Sequence, residues 1–158
     1  SNYLVEIGGE MKVRGRKPDG GLWRVAVERP NPKMRQVDQV IELLQDQGMA
    51  IMTAGTYRHF FEAGGKTYSH ILDPRTGRPV THTLRSVTVL HEDPTWADVW
   101  DTALLCVGES DAQRIIEKEG LMTLLIWGGD DQDEFQDYFS SALSHATGVR
   151  VRAPEAHH

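Results

Sequence analysis

Residues 86–108 read SVTVLHEDPTWADVWDTALLCVG, and the periodicity of the apolar side chains changes in the middle of this stretch. The first part is rich in β-branched residues, which is typical of a buried strand. Asp93 or Thr95 then supplies a helix start signal, and apolar residues recur every three or four positions from Ala97 to Val107. The stretch therefore predicts a strand that leads directly into an amphipathic helix.

Short strands are predicted on both sides of this unit. Alternating or continuous apolar patterns mark strand regions within residues 3–13, 22–29, 49–73 and 121–127. The sequence EAGGK inside the third region predicts a hairpin turn.

Further helices are predicted from a spacing of three and four. Residues 37–44 carry apolar side chains at helical spacing between two prolines and Gly48, which predicts a short helix or helix-like connection. A second short helix is expected at residues 109–120, and an amphipathic last helix within residues 134–148. The mixed order lacks a regular strand–helix alternation, so we predict an α+β fold with a mostly antiparallel sheet and a few packed helices.

The composition and length of the chain exclude several classes of protein. The 158 residues suit one domain, expected at residues 1–152, followed by a tail at 153–158 whose final His-His pair is consistent with a purification tag. A net charge of -6 argues against nucleic-acid binding, which needs clustered Lys and Arg. The single cysteine excludes an internal disulfide framework, and no apolar run approaches the roughly 20 residues of a membrane-spanning helix.

Residues 69–79, SHILDPRTGRP, are the first candidate for chemistry. Pro74 and the Thr-Gly pair before Pro79 predict a stiff turn. His70 is a candidate general base near neutral pH, although an isolated histidine is more often structural. Asp73 is expected either to orient that histidine or to cap the turn.

Asp98 and Thr102 are the second candidate, because side chains four residues apart lie on one face of a helix. A carboxylate and a hydroxyl placed there offer oxygen ligands to a hard cation such as magnesium. The alternative is that Asp98 stabilises the helix N-terminus while Thr102 packs. Asp101 is expected to point elsewhere on the helix, as a solvated or capping charge.

Gly8 and Gly9 interrupt a strand pattern. They lack the third glycine and the following helix of a dinucleotide-binding fingerprint. Two glycines within a strand allow either the close approach of a ligand to the backbone or a bulge. Elsewhere, His59, His82 and His91 lack the spacing of a zinc site, and no Gly-x-Ser-x-Gly element indicates a serine hydrolase.

Taken in order, these motifs resemble those of the FAD:protein FMN transferases, the ApbE-type family. The family pattern comprises a Gly-Gly strand, a Ser-Gly-x-Tyr segment, an H-x-x-D-P-x-T-G-x-P turn, and an Ala-Asp helix with threonine one turn later. Here these are Gly8-Gly9, residues 54–57, residues 70–79, and Ala97-Asp98 with Thr102. The resemblance runs over nearly all of residues 3–127, with Ala54 in place of the usual serine, and it implies an ApbE-like or T-fold-like architecture.

The resemblance implies an activity and a set of roles. Such enzymes transfer FMN from FAD to a threonine or serine hydroxyl of an acceptor protein, release AMP and require magnesium. Asp98 and Thr102 would be magnesium ligands, and His70 the base for the acceptor hydroxyl. These roles fit the reaction, because the site must stabilise negative charge on the pyrophosphate and must accept the proton of the acceptor hydroxyl.

The resemblance also implies residues that contact the nucleotide. Gly8, Gly9 and Glu10 would lie against the flavin nucleotide. Asp73 and Thr76 would shape the turn or reach the phosphates. Two alternatives to transfer stay open: a magnesium-dependent FAD pyrophosphatase that yields FMN and AMP, and a non-catalytic FAD-binding protein.

The chain resembles only the C-terminal half of such an enzyme. In the family, the N-terminal half carries flavin-contacting residues, a lysine-glycine segment and a backbone carbonyl that ligates magnesium. The expected partners are therefore FAD, an N-terminal half, and acceptor flavoprotein subunits of respiratory complexes or related reductases. The full-length form is expected to be a periplasmic lipoprotein anchored to the membrane.

Overall fold

The computed structural model describes residues 1–31, 34–43, 47–57, 60–63, 66–128 and 135–154. In these ranges the chain forms strands and three helices in the following order: β1 (Tyr3–Ile7), β2 (Glu10–Arg14), β3 (Trp23–Glu28), β4 (Val37–Leu43), β5 (Met49–Gly55), β6 (Phe60–Ala63), β7 (Lys66–Ser69), β8 (Leu72–Asp73), β9 (Arg78–Pro79), β10 (Leu84–His91), α1 (Pro94–Val107), α2 (Glu109–Glu119), β11 (Met122–Gly128), β12 (Phe135–Phe139), α3 (Ser141–Ser144) and β13 (Val149–Arg152).

The strands form two main sheets and two small hairpins, and the pairs within the described residues are antiparallel. The larger sheet has six strands in the order β1-β2-β5-β10-β11-β12, and the smaller has three in the order β13-β4-β3. The hairpins are β6–β7 and β8–β9. The predicted α+β fold with a mostly antiparallel sheet is confirmed.

The six-stranded sheet is covered on both faces, because side chains alternate along each strand. One face packs against the three-stranded sheet through residues such as Val13, Ile51 and Leu124. The other face packs under α1 and α2 through residues such as Val89 and Leu125. The strand–helix unit of residues 86–108 therefore lies at the centre of the molecule, with β10 between β5 and β11.

The glycine pair is a hairpin turn between β1 and β2. Ile7 pairs with Glu10, so Gly8 and Gly9 form a two-residue loop with φ angles of 64° and 99°. Two consecutive positive φ angles are the requirement of the tight turns that match strand twist, and glycine meets it without strain. Glu6 Oε1 accepts a hydrogen bond from the amide of Gly9 at 3.1 Å.

Two of the predicted helices are wrong. Residues 37–43 form β4, the middle strand of the three-stranded sheet, because β3 and β13 supply hydrogen-bonding partners on both sides. Residues 135–139 form β12, which pairs with β11. Only Ser141–Ser144 beyond it is helical, and Ser140 Oγ caps it by accepting from the amide of Leu143 at 3.1 Å. In both segments tertiary pairing overrides an apolar spacing that resembles a helix.

Some predictions fall partly outside the described residues. The EAGGK turn includes Gly64 and Gly65, which are outside them, while β6 and β7 on either side pair as expected. The tail includes residues 155–158, also outside them. β13 ends at Arg152, and the domain boundary placed there stays a prediction. The described helices include none that combines the length and the apolarity needed to cross a membrane.

Candidate functional site

The start of α1 is fixed by a network of side chains. Asp93 is the N-cap, and its Oδ1 accepts from the amide of Thr95 at 2.8 Å, with Pro94 in the first turn. His91 Nδ1 accepts from the amide of Asp93 at 2.9 Å. Lys12 Nζ donates to the carbonyl of Glu92 at 2.8 Å, which ties the helix start to β2.

A cluster of three carboxylates lies between β2 and α1. One ligand atom from each of Glu10, Asp98 and Asp101 lies within 4.8 Å of the others. Glu10 points to the helix side because Met11 and Val13, its neighbours along β2, pack toward the three-stranded sheet. The Gly8-Gly9 turn therefore places the first residue of β2 directly beneath α1.

Burial and mutual repulsion act together on Asp101. Its exposed fraction is 1%, and burial, followed by the charges of Glu10 and Asp98, raises its pKa to about 7. Thr102 Oγ1 donates to Asp101 Oδ1 at 3.0 Å, which opposes the rise. Crowded carboxylates of this kind are stabilised by a hard divalent cation, which prefers oxygen ligands. The donor set of the cluster fits magnesium.

The structure brings together some of the predicted residues and adds one. Asp98 and Glu10 lie in the cluster, and Thr102 contacts it through Asp101. The expectation that Asp101 is a solvated or capping charge is wrong, because this side chain is buried and faces the other two carboxylates. A signal was available: Asp101 falls on the helix stripe of Ala97 and Leu104, both buried.

The predicted stiff turn is the β8–β9 hairpin. Leu72 pairs with Pro79 and Asp73 with Arg78, and the carbonyl of Asp73 accepts from the amide of Gly77 at 2.8 Å. The Asp73 carboxylate accepts from the Arg75 amide at 2.8 Å and from Arg75 Nε and Nη2 at 3.0 and 2.9 Å. These bonds lower the pKa of Asp73. The carboxylate is thus engaged within its own turn.

The hairpin lies against the helices. Arg75 Nη1 is 3.9 Å from Asp111 Oδ2 on α2. Burial, and then the charge of Asp73, raises the pKa of the Cys106 thiol on α1. Cys106 is one turn beyond Thr102 and two turns beyond Asp98, so the hairpin and the carboxylates share one side of α1.

His70 and Thr76 lie at the surface. His70 occupies an exposed bend directly after β7 and is not one of the three cluster residues. Thr76 Oγ1 accepts from the amide of Arg78 at 3.3 Å and so helps to hold the turn. The roles predicted for these two side chains stay predictions.

A cavity of about 270 Å³ lies on the opposite face of the six-stranded sheet, between that sheet and β3. Gly9 and Tyr57, each from a predicted motif, line it together with Met11, Val25 and Ile51. The volume is at the lower limit of small-molecule pockets, so it would enclose only part of a dinucleotide. Gly9 therefore lines the cavity on one face of the sheet, whereas Glu10, the next residue, belongs to the carboxylate cluster on the other face.

Comparison with known proteins confirms the predicted resemblance to the ApbE-type family. The ApbE family model matches residues 1–125. The FAD:protein FMN transferase of Escherichia coli (strain K12) is 39% identical over 140 residues, which are 89% of this chain and 38% of that protein. The FAD:protein FMN transferase of Vibrio cholerae serotype O1 is 42% identical over 142 residues, 90% of this chain and 41% of that protein.

Solved structures show the same fold. The apo form of the Pseudomonas stutzeri flavinyl transferase ApbE is similar with a TM-score of 0.74 at 35% identity, over 93% of this chain and 44% of that one. The ApbE protein of Thermotoga maritima gives a TM-score of 0.72 at 30% identity, over 90% and 44%. The chain spans less than half the length of these relatives. It belongs to the ApbE family.

Proposed function

We propose that this chain is the metal-binding part of a FAD:protein FMN transferase, which moves FMN from FAD to a threonine or serine hydroxyl of an acceptor protein. The observation that carries the proposal is the cluster that Glu10 on β2 forms with Asp98 and Asp101 on α1, in a chain that is 39% identical to a relative of that name. The reaction joins the acceptor oxygen to the FMN-side phosphorus of the pyrophosphate. The bond to the AMP phosphate breaks, and AMP leaves.

Magnesium is the cofactor we propose for this cluster. Asp98, Asp101 and Glu10 would hold it through carboxylate oxygens, with the Thr102 hydroxyl close enough to contribute. When bound, the cation would neutralise negative charge on the pyrophosphate oxygens. Asp98 is exposed, so a substrate phosphate has access to the cluster from solvent. The buried Asp101 would fix the position of the site against the sheet.

His70 is the residue we propose for proton transfer. Its exposed position suits a base that must meet a hydroxyl on a second protein. In this role a ring nitrogen accepts the proton of the acceptor hydroxyl as the new phosphoester bond forms. Asp73 and Thr76 would act mainly by holding the adjacent hairpin rigid, because both are bonded within it. Gly8 and Gly9 would lie against the nucleotide, because neither carries a side chain that would keep a ligand away from the backbone.

The wider setting is also a proposal. Because the chain spans less than half of its relatives, an N-terminal half would complete the nucleotide site. Acceptors would be flavin-bearing subunits of respiratory complexes or related reductases. The complete protein would be periplasmic and anchored to the membrane by lipid.

Hydrolysis is the second candidate. Asp98 and Thr102 are exposed, so water has the same access to the cluster as an acceptor hydroxyl. The product would then be free FMN and AMP. A purely binding role has less support, because binding alone needs neither a base such as His70 nor the cation that the three carboxylates are suited to hold.

The test is the mass of a threonine-containing acceptor peptide after incubation with this chain, an added N-terminal half, FAD and magnesium. A gain of one FMN unit is expected, and it should be lost with EDTA or in the Asp98→Ala variant. Glu119→Ala, a carboxylate change at the exposed end of α2 outside both the cluster and the hairpin, is the matched control and should retain activity. FMN and AMP without peptide labelling would favour hydrolysis. Labelling that survives in Asp98→Ala would contradict the proposed site.

A further inference from the structure

Two further carboxyl groups lie away from the three-carboxylate cluster, where the two sheets meet. Asp38 is on β4, the middle strand of the three-stranded sheet, and Asp137 is on β12, an edge strand of the six-stranded sheet. The exposed fraction of Asp38 is 6%. Asp137 is exposed at this edge, and Gln39 Nε2, from the residue next to Asp38, donates to Asp137 Oδ2 at 3.1 Å. The Arg29 guanidinium, which donates to Asp38, lies 5.6 Å from the Phe135 ring centre, two residues before Asp137 on β12, so the two carboxyl groups are neighbours.

The two oxygens of Asp38 are satisfied differently. Oδ1 accepts from Arg29 Nε at 2.7 Å. Oδ2 is buried and finds no N–H or O–H donor among the described residues. A buried acceptor without a donor costs free energy, so a hydrogen is needed between the two carboxyl groups. Asp137 supplies one when it is protonated.

We propose that Asp38 and Asp137 share one proton and that this proton fastens the edge strand β12 to β4 in acidic solution. The pair then behaves as a carboxylic acid that donates to a carboxylate. When the proton leaves, two negative charges face each other across the sheet interface, and the contact weakens. The device makes the attachment of one sheet edge dependent on pH.

The surrounding groups favour a proton over a metal ion. The groups that act on Asp137 are Asp38 and Gln39 from β4 and Arg29 from the segment after β3. Gln39 Nε2 donates to Asp137 Oδ2 at 3.1 Å, and the residue of β11 opposite Asp137 is the apolar Ile126. The Arg29 guanidinium, which also lies 5.6 Å from the Phe135 ring centre, already supplies positive charge to Asp38.

The direction of the pH effect follows from Asp137. Burial, followed by the charge of Asp38, raises the pKa of Asp137 above its ordinary 3.8. The folded protein therefore holds this proton more tightly than the unfolded chain does. Its contribution to stability is complete below pH 3.8 and is lost as the pH rises through the raised pKa.

The direct test is titration of the Asp137 carboxyl carbon by NMR in the intact chain. In the wild type the midpoint should lie above 3.8, and in Asp38→Asn it should fall, because the opposing charge is gone and an amide can donate instead. The Asp111→Asn variant, altered on α2, should leave the midpoint unchanged. An unchanged midpoint in Asp38→Asn would overturn the proposal.

Stability gives an independent readout. The ratio of the folding constants of Asp137→Asn and wild type should rise between pH 4 and pH 7, because the amide donates to Asp38 at every pH while the wild type loses its proton. A constant ratio would contradict proton sharing. Stabilisation by calcium at pH 7 that Asp137→Asn abolishes would assign a cation to the pair and would also overturn it.

Discussion

At the scale of single residues, Asp101 is the side chain whose state depends most on what the site binds. It is buried, flanked by two carboxylates and hydrogen-bonded to one hydroxyl, Thr102. Repulsion of this kind opposes folding when no cation is present. The same repulsion provides the attraction for a divalent cation when one binds.

Asp101→Asn should therefore stabilise the magnesium-free protein and weaken its response to magnesium. Without a divalent cation the variant should unfold at a higher temperature than the wild type, because one buried charge is removed. Magnesium at about 100 times its Kd should stabilise the wild type by about 2.7 kcal/mol and the variant far less. Thermal unfolding with EDTA and with magnesium measures both effects. An equal magnesium response in the two proteins would show that Asp101 is not a ligand.

Gly55 shows a packing constraint at the same scale. A Cβ atom added there would lie 2.6 Å from the Tyr57 ring, which is closer than van der Waals contact allows. Gly55→Ala should cost about 1–3 kcal/mol in the free energy of unfolding. The cost should fall below about 0.5 kcal/mol in a Tyr57→Ala background, where the ring is absent. Urea denaturation of the four proteins gives the cycle, and additive effects would contradict a direct clash.

At the scale of secondary-structure elements, Glu117 joins α2 to the end of the larger sheet. Its Oε1 accepts from Tyr138 Oη on β12 and from the amide of Ser141 at the start of α3 at 2.9 Å. These hydrogen bonds lower the pKa of Glu117 below its ordinary 4.5. One carboxylate therefore links three elements, and the link depends on its charge.

Acid should weaken this link in a predictable direction. Because the pKa of Glu117 is lower in the folded state, its contribution is present above pH 4.5 and is lost as the pH falls through the lowered pKa. Glu117→Gln should remove that part of the pH dependence, so the stability curves of variant and wild type should converge in acid. Glu119→Gln, an exposed change on the same helix, is the control. Parallel curves for Glu117→Gln would disprove the link.

The elements also show where reasoning from sequence succeeds. The strand–helix unit was predictable because β-branched residues in β10 and a three-four repeat in α1 both agree with their surroundings. Strands β4 and β12 were not predictable from the local sequence. In β4 the polar Glu42 is buried because Arg24, Arg150 and Arg152 contact it from neighbouring strands, so the local pattern loses its alternation. That information resides in distant residues.

The candidate site divides in the same way. Asp98 and Thr102 were predictable from one helical turn, and the Asp73 turn from its prolines and glycine. The meeting of Glu10 with Asp98 and Asp101 was not, since it depends on how β2 lies under α1. Local chemistry identifies Asp98 on the helix but not the buried Asp101, and topology supplies Glu10 from a strand that precedes the helix by most of the domain.

At the scale of the whole molecule, the six-stranded sheet connects two apolar cores. Ile41 lies in the core between the sheets, and Leu105 lies in the core between the larger sheet and the helices, both with an exposed fraction of 0%. Strands β2, β5, β10 and β11 contribute residues to both faces. A substitution that disrupts one core should therefore also destabilise the other.

Ile41→Ala and Leu105→Ala should each reduce the free energy of unfolding by about 2–5 kcal/mol, because each leaves a cavity in a closely packed core. In both variants, urea transitions followed by far-UV circular dichroism and by tryptophan fluorescence should coincide, since Trp23 reports on one core and Trp100 and Trp127 on the other. Val99→Ala, on the exposed side of α1, is the control and should change stability by about 0.5 kcal/mol or less. Separate transitions in either core variant would show that the two layers unfold independently, and the shared sheet would then not be the cooperative unit.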